Sequence, residues 1–211
     1  MGRVVEVSTA VNANVRQLST VDLDATSTSA EVGAVPAAVA ATCVATEYGG
    51  NLVHKTVLTC TALPISVTDD AGVAQYGGVK VYTFPEGLIS TFGAIISGNL
   101  TLGTTGTIID AFTGVNALGS VTASTGATLV STEATWLQST ANATASSKVA
   151  AISSVSIATA LTETGGRIYD GTSTPAPVFL NFAIADDVTH TSGTGTFTGV
   201  ITIAWMKVGD K

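Results

Sequence analysis

The sequence predicts an all-β fold: an antiparallel two-sheet sandwich of the jelly-roll kind, preceded by an extended N-terminal arm. Three observations lead there. Short runs of alternating apolar and polar residues recur from Leu52 onward, separated by Gly, Asp and Thr clusters of the kind that turns need. Thr and Ser supply 53 of the 211 residues while only 11% are charged, against about 25% in an average domain. Small hydroxyls therefore wet the surface, and branched Thr favours pleated backbone. Finally, no run longer than one turn carries the pattern and caps of an amphipathic helix. Eight to ten short strands without helices are best accommodated by two packed sheets.

Residues 1–50 form the expected arm. Thr26-Ser27-Thr28-Ser29 and Ala37-Ala38-Val39-Ala40-Ala41 show neither period, and so few large apolar side chains cannot offset the entropy of ordering the segment alone. Gly49-Gly50 is the expected hinge. The body, residues 51–211, opens with strands over 52–59 and 63–67, closed by the turn Asp69-Asp70-Ala71-Gly72. Alternation over 79–84 stops at Pro85-Glu86-Gly87. The run 88–102 carries Gly93 and Gly98, which mark bulges or bends. Further strands are expected over 107–112, 119–123, 127–131, 149–157, 178–184 and 195–208, with one helical turn at 131–137. In the last strand the odd positions Phe197, Ile201, Ile203 and Trp205 share one face, which is read as buried; Gly199 breaks the pattern. Phe84, Ile95 and Phe182 complete the expected core. No repeat of fixed period is present.

Charge excludes several functions. A net charge of −7 with eight Lys and Arg cannot neutralise a row of phosphates, so no direct nucleic-acid binding is expected. Apolar stretches such as 32–44 and 88–96 are Ala-rich or broken, short of the about 20 residues that span a bilayer. The start, Met1-Gly2-Arg3-Val4-Val5-Glu6, lacks a secretory pattern, and synthesis in the cytoplasm without general secretory export is expected.

Chemistry is sparse. His54 lies in an alternating strand and His190 in a polar loop, and neither belongs to a nucleophile elbow, zinc helix or phosphate loop. Asp69-Asp70 and Asp186-Asp187 could offer oxygen ligands to Ca²⁺, although paired acids at strand ends also read as solvated turns. Asp22-Leu23-Asp24 begins like a calcium loop and lacks its later ligands. Asn99-Leu100-Thr101 and Asn142-Ala143-Thr144 match a glycosylation pattern that chance produces in any Thr-rich chain. Cys43 and Cys60 are read as buried thiols. Trp205 is read as core, and Trp136 either as core or as a partner-facing anchor. No catalytic, cofactor-binding or metal-binding residue is assigned, and no enzyme activity is expected.

The stretch Val53-His54-Lys55-Thr56-Val57-Leu58-Thr59, then Gly78-Val79-Lys80-Val81-Tyr82-Thr83-Phe84-Pro85-Glu86-Gly87, and the closing Val178-Phe179-Leu180-Asn181-Phe182 with Gly199-Val200-Ile201-Thr202-Ile203-Ala204-Trp205 resemble tailed-bacteriophage virion structural proteins. The resemblance covers about residues 52–211. It implies a jelly-roll decoration or cement protein sitting in trimers on the capsid surface of the virion, with the major capsid protein as partner. A tail or fibre component and a carbohydrate-binding sandwich are the alternatives. Self-association also follows from composition, because a weakly charged Thr, Ala and Val surface loses little on desolvation. The arm, at most about 165–180 Å when extended, is expected to anchor neighbouring subunits or the shell through Val4, Val5, Val7, Val11 and Val15, with Arg3 and Arg16 meeting acidic groups. An extra strand packed on its own domain is the competing reading.

Overall fold

A computed structural model describes residues 32–50, 53–70, 74–102, 113–124, 128–141, 149–157, 168–185 and 193–209. The described residues form ten strands: β1 Cys43–Gly49, β2 Val53–Asp69, β3 Ala74–Thr83, β4 Gly87–Leu102, β5 Thr113–Gly119, β6 Leu137–Ala141, β7 Val149–Ile157, β8 Ile168–Gly171, β9 Pro177–Ala185 and β10 Gly193–Gly209. One 3-10 turn, Ser131–Ala134, is their only helical segment, and among them no helix is long and apolar enough to cross a membrane.

Every strand pair is antiparallel. The order is β6-β5-β9-β3-β2-β10-β4-β7, with β1 added to β2 and β8 to β4. The sheet curls until β7 approaches β5 and β6, the arrangement of a β-sandwich or jelly roll. A main core fills the interior, beside a smaller cluster of Ala117, Ala123, Leu129 and Ala183. Leu58, Leu63 and Ile65 of β2, Ile96 and Leu100 of β4, Leu180 and Phe182 of β9, and Phe197, Ile201 and Ile203 of β10 all meet in the main core. Phe84 lies between Trp136 and Trp205, 5.2 Å from each ring, in edge contacts at 70° and 69°, a geometry that aromatic quadrupoles favour.

Local alternation explains most of β10. Phe197, Ile201, Ile203 and Trp205 are buried as expected, and so are Phe84 and Phe182. Gly199 belongs to the same inward row, opposite Gly98 of β4. A Cβ there would lie 2.7 Å from the Phe197 ring, and one on Gly98 2.9 Å from it. The Phe197 ring thus covers both glycines and replaces the side chains they lack.

Bulges change the parity elsewhere. The expected strands 52–59 and 63–67 are one strand, β2, in which the inward row runs His54, Thr56, Leu58 and Cys60 and resumes at Leu63 and Ile65. The slip falls at Ala62, whose φ is +50° and whose N–H donates to Thr198 Oγ1 at 2.9 Å. In β4 the register against β10 shifts between Trp205/Thr91 and Ala204/Gly93. Inward positions therefore pass from Ile89 and Thr91 to Ala94 and Ile96, and Ile95 points outward at 45% exposure. The expected burial of Ile95 is corrected accordingly. Two expected strands are also corrected: β5 ends at Gly119 rather than beginning there, and 128–130 is irregular chain leading into the 3-10 turn. Residues 107–112 lie outside the described residues.

The described part of the arm, residues 32–50, lies against the body. Ala34 and Thr83 exchange both backbone hydrogen bonds at 2.9 Å, a turn follows Pro36, Val39 enters the core, and β1 pairs with β2 along its length. Residues 32–50 are thus laid against their own body, because β2 offers an unpaired edge over residues 54–60. Residues 1–31, with the valines and arginines assigned to anchoring and the Asp22 loop, lie outside the described residues.

Candidate functional site

The inward ends of β1, β2, β3 and β10 build a buried polar cluster. Strand pairing places Glu47 opposite Thr56 and His54 opposite Trp205. Trp205 Nε1–H donates to Thr56 Oγ1 at 2.7 Å, and the Thr56 hydroxyl donates to the Glu47 carboxylate at 2.9 Å. The Tyr82 hydroxyl donates to Glu47 Oε1 in a short hydrogen bond and accepts Gly33 N–H at 2.8 Å. Burial raises the Glu47 carboxyl above its ordinary value, with the bonds from Tyr82 and Thr56 working the other way. Burial, with the Glu47 charge added, also pushes the Tyr82 phenol well up. These groups fasten residues 33–49 to the body. His54, Thr56 and Tyr82 are fully buried, and Glu47 is 8% exposed.

A second polar cluster ties the chain between β5 and β6 to β9. Asn181, fully buried, donates through Nδ2 to Val121 O and Glu133 O, both at 2.8 Å, and accepts Ala123 N–H at 3.0 Å. Glu133 accepts Ser124 N–H at 2.7 Å and Val130 N–H at 3.3 Å. Opposite Asn181 stands Gly78, where a Cβ would collide with the Asn181 amide. Trp136 closes this region: it is 5% exposed and donates Nε1–H to Pro177 O at 3.0 Å. The partner-facing reading of Trp136 is corrected, since its ring completes the aromatic core beside Phe84.

The opposite face of β1, β2 and β10, continued by β4, is partly exposed. Strands β1, β2, β10 and β4 run side by side, and three rows cross them in register: Val44-Thr59-Val200-Ser97, Thr46-Val57-Thr202-Ile95 and Tyr48-Lys55-Ala204-Gly93. No residue of these rows is buried, and Val44 is 61% exposed. Phe92, extruded at the β4 bulge, adds an exposed ring beside them. Lys55 is the one charged side chain in the three rows, and its Nζ lies 4.6 Å from the Tyr48 ring centroid. Such a face is cheap to dehydrate, and β-branched side chains have little rotamer freedom to lose when covered.

Of the residues singled out in the sequence, His54 and Trp205 are brought together in the core, and Cys43 and Cys60 face each other there as buried thiols. Asp69 ends β2, and Asn99 is exposed on β4. Asp186, Asp187, His190 and Asn142 lie outside the described residues. Among the described residues no group of three His, Cys, Asp or Glu could hold a metal ion. The roles of Glu47, Tyr82 and Asn181 are not legible in the sequence, because isolated polar residues within strands carry no motif; only the bonds they form reveal them. No family model matches the chain, and no curated protein or solved structure matches it either.

Proposed function

We propose that this chain is a non-catalytic virion structural protein, a capsid decoration or cement protein of a tailed bacteriophage. In this reading it self-associates as a trimer and binds the major capsid protein at the outer surface of the shell. The observation that carries the binding role is the outer face of β1, β2, β10 and β4, whose three rows hold one charged side chain, Lys55. The exposed Val44, Ile95 and Val200 among Thr and Ser match the low charge of interface cores. The buried carboxylates support it too, since Glu47 and Glu133 are bonded to hydroxyls and backbone that hold the fold. The phage assignment and the trimer rest on the sequence resemblance.

The test is reconstruction of the phage particle that encodes the chain, with an antibody to the purified protein marking its position. Density for trimers over the capsid lattice, in many copies, is the expected result. Labelling confined to the tail, in few copies, would replace this function with a tail or fibre role.

A further inference from the structure

Cys43 opens β1, and Cys60 lies directly opposite it on β2. Thr61 N–H donates to Thr42 O, whereas Cys43 N–H turns back to Val39 O. The Cys43–Cys60 pair is therefore a non-hydrogen-bonded position of the ladder, where Cα atoms sit about 4.5 Å apart and side chains are closest. That spacing falls inside the range of about 4.4–6.8 Å that a disulfide bridges. Both side chains are buried, with Sγ atoms 2.9 Å apart. On its other side Cys60 meets Gly199 of β10, followed by Gly98 of β4, so neither of these neighbours carries a side chain that could wedge the sulfurs apart.

We infer that Cys43 and Cys60 are an oxidisable pair that closes to an intrachain disulfide, locking β1 and the turn before it onto β2. The contact between the two thiols assigns their roles. The hydrogen bond the two thiols share holds the Cys43 thiol below its ordinary value in spite of burial, and that contact, together with burial, pushes Cys60 up; β1, which carries Cys43, is also the strand with the fewer ladder partners. Cys43 is thus the attacking group. Its thiolate attacks a low-molecular-weight disulfide such as glutathione disulfide, RSSR, forming Cys43–S–S–R and releasing RS⁻, which takes up a proton. Cys60 then gives its proton to solvent and attacks the Cys43 sulfur, and the second RS⁻ leaves and is protonated. The two protein thiols lose two electrons and two protons, and RSSR is reduced to two RSH. Access comes through β1, whose one ladder among the described strands is with β2; parting that ladder together with the Tyr82–Glu47 bond exposes both sulfurs while β2 stays bonded to β10.

The full chain is incubated with glutathione disulfide, and a second sample is unfolded and refolded in a glutathione redox buffer. Both are alkylated and digested with trypsin without reduction. Cleavage after Lys55 puts Cys43 on peptide 17–55 and Cys60 on peptide 56–80, so the disulfide is read as a linked pair that dithiothreitol separates. The expected result is that linked pair within one chain, loss of both alkylatable thiols, and a higher Tm with slower amide exchange in β1. Cys43→Ser and Cys60→Ser lack the linked pair and the Tm shift. Two free thiols in both samples, a stable mixed disulfide on one of them, or linkage only between chains would overturn the inference. A linked pair that leaves Tm and β1 exchange unchanged would overturn the locking role.

Discussion

His54 lies flat against Trp205, with ring centroids 4.1 Å apart and planes 9° from parallel, at directly opposed positions of β2 and β10. The stack seals the end of the buried polar cluster, because the same indole donates to Thr56, which in turn donates to Glu47. Its position makes His54, which belongs to no catalytic motif in the sequence, part of the packing around Trp205.

Trp205→Ala removes the stack, the Phe84 contact and the donor to Thr56. A loss of about 3–5 kcal/mol is expected from the cavity, measured by urea unfolding. Trp205→Phe keeps an aromatic surface and loses the hydrogen bond, so it destabilises less than the alanine variant. Equal losses would show that the ring packing contributes little.

Glu47 makes stability depend on pH with an unusual sign. Its carboxyl is raised on folding by burial, so the folded chain holds the proton more tightly than the unfolded chain. Its contribution is most favourable below the unfolded value, about 4.3, and declines as pH rises through the folded value. Glu47→Gln stays neutral throughout. Unfolding free energies measured from about pH 4 to about pH 7 are expected to fall for the wild type relative to Glu47→Gln; a difference that is flat, or that moves the other way, contradicts the burial argument.

Asn181→Leu strands the Val121 and Glu133 carbonyls and the Ala123 N–H that the amide satisfies. Each buried group left unpaired costs about 1–3 kcal/mol, so a total of at least about 2 kcal/mol is expected. Amide exchange should quicken over residues 120–136 before it does in β2 or β10. Uniform quickening would mean that the loop and the sheet open as one unit.

Ile95→Lys and Val200→Glu place charge on the outer face without touching the core. Stability is expected to change by no more than about 0.5 kcal/mol, while the proposed capsid role requires that occupancy of phage capsids and self-association both fall. Unaltered occupancy with both substitutions combined would remove this face from the interface.

Alternation is a local property, and where two neighbouring strands stayed in step it was enough: the sequence by itself determined the all-β class, the inward face of β10 and the burial of Phe84, Phe182, Ile201, Ile203 and Trp205. Bulges are decided by pairing with strands far away in the chain. The shift at Phe92–Gly93 that turns Ile95 outward exists only against β10, and the slip at Ala62 that joins two expected strands into β2 is held by Thr198. The same holds for the polar groups. Trp205 meets Thr56 across 149 residues and Tyr82 meets Glu47 across 35, separations at which spacing in the sequence carries no signal. Cys43 and Cys60 are legible singly as buried thiols, but their apposition required β1 to fold back on β2. That return was hidden in a segment too poor in large apolar residues to order itself, and it is ordered by the edge that β2 presents.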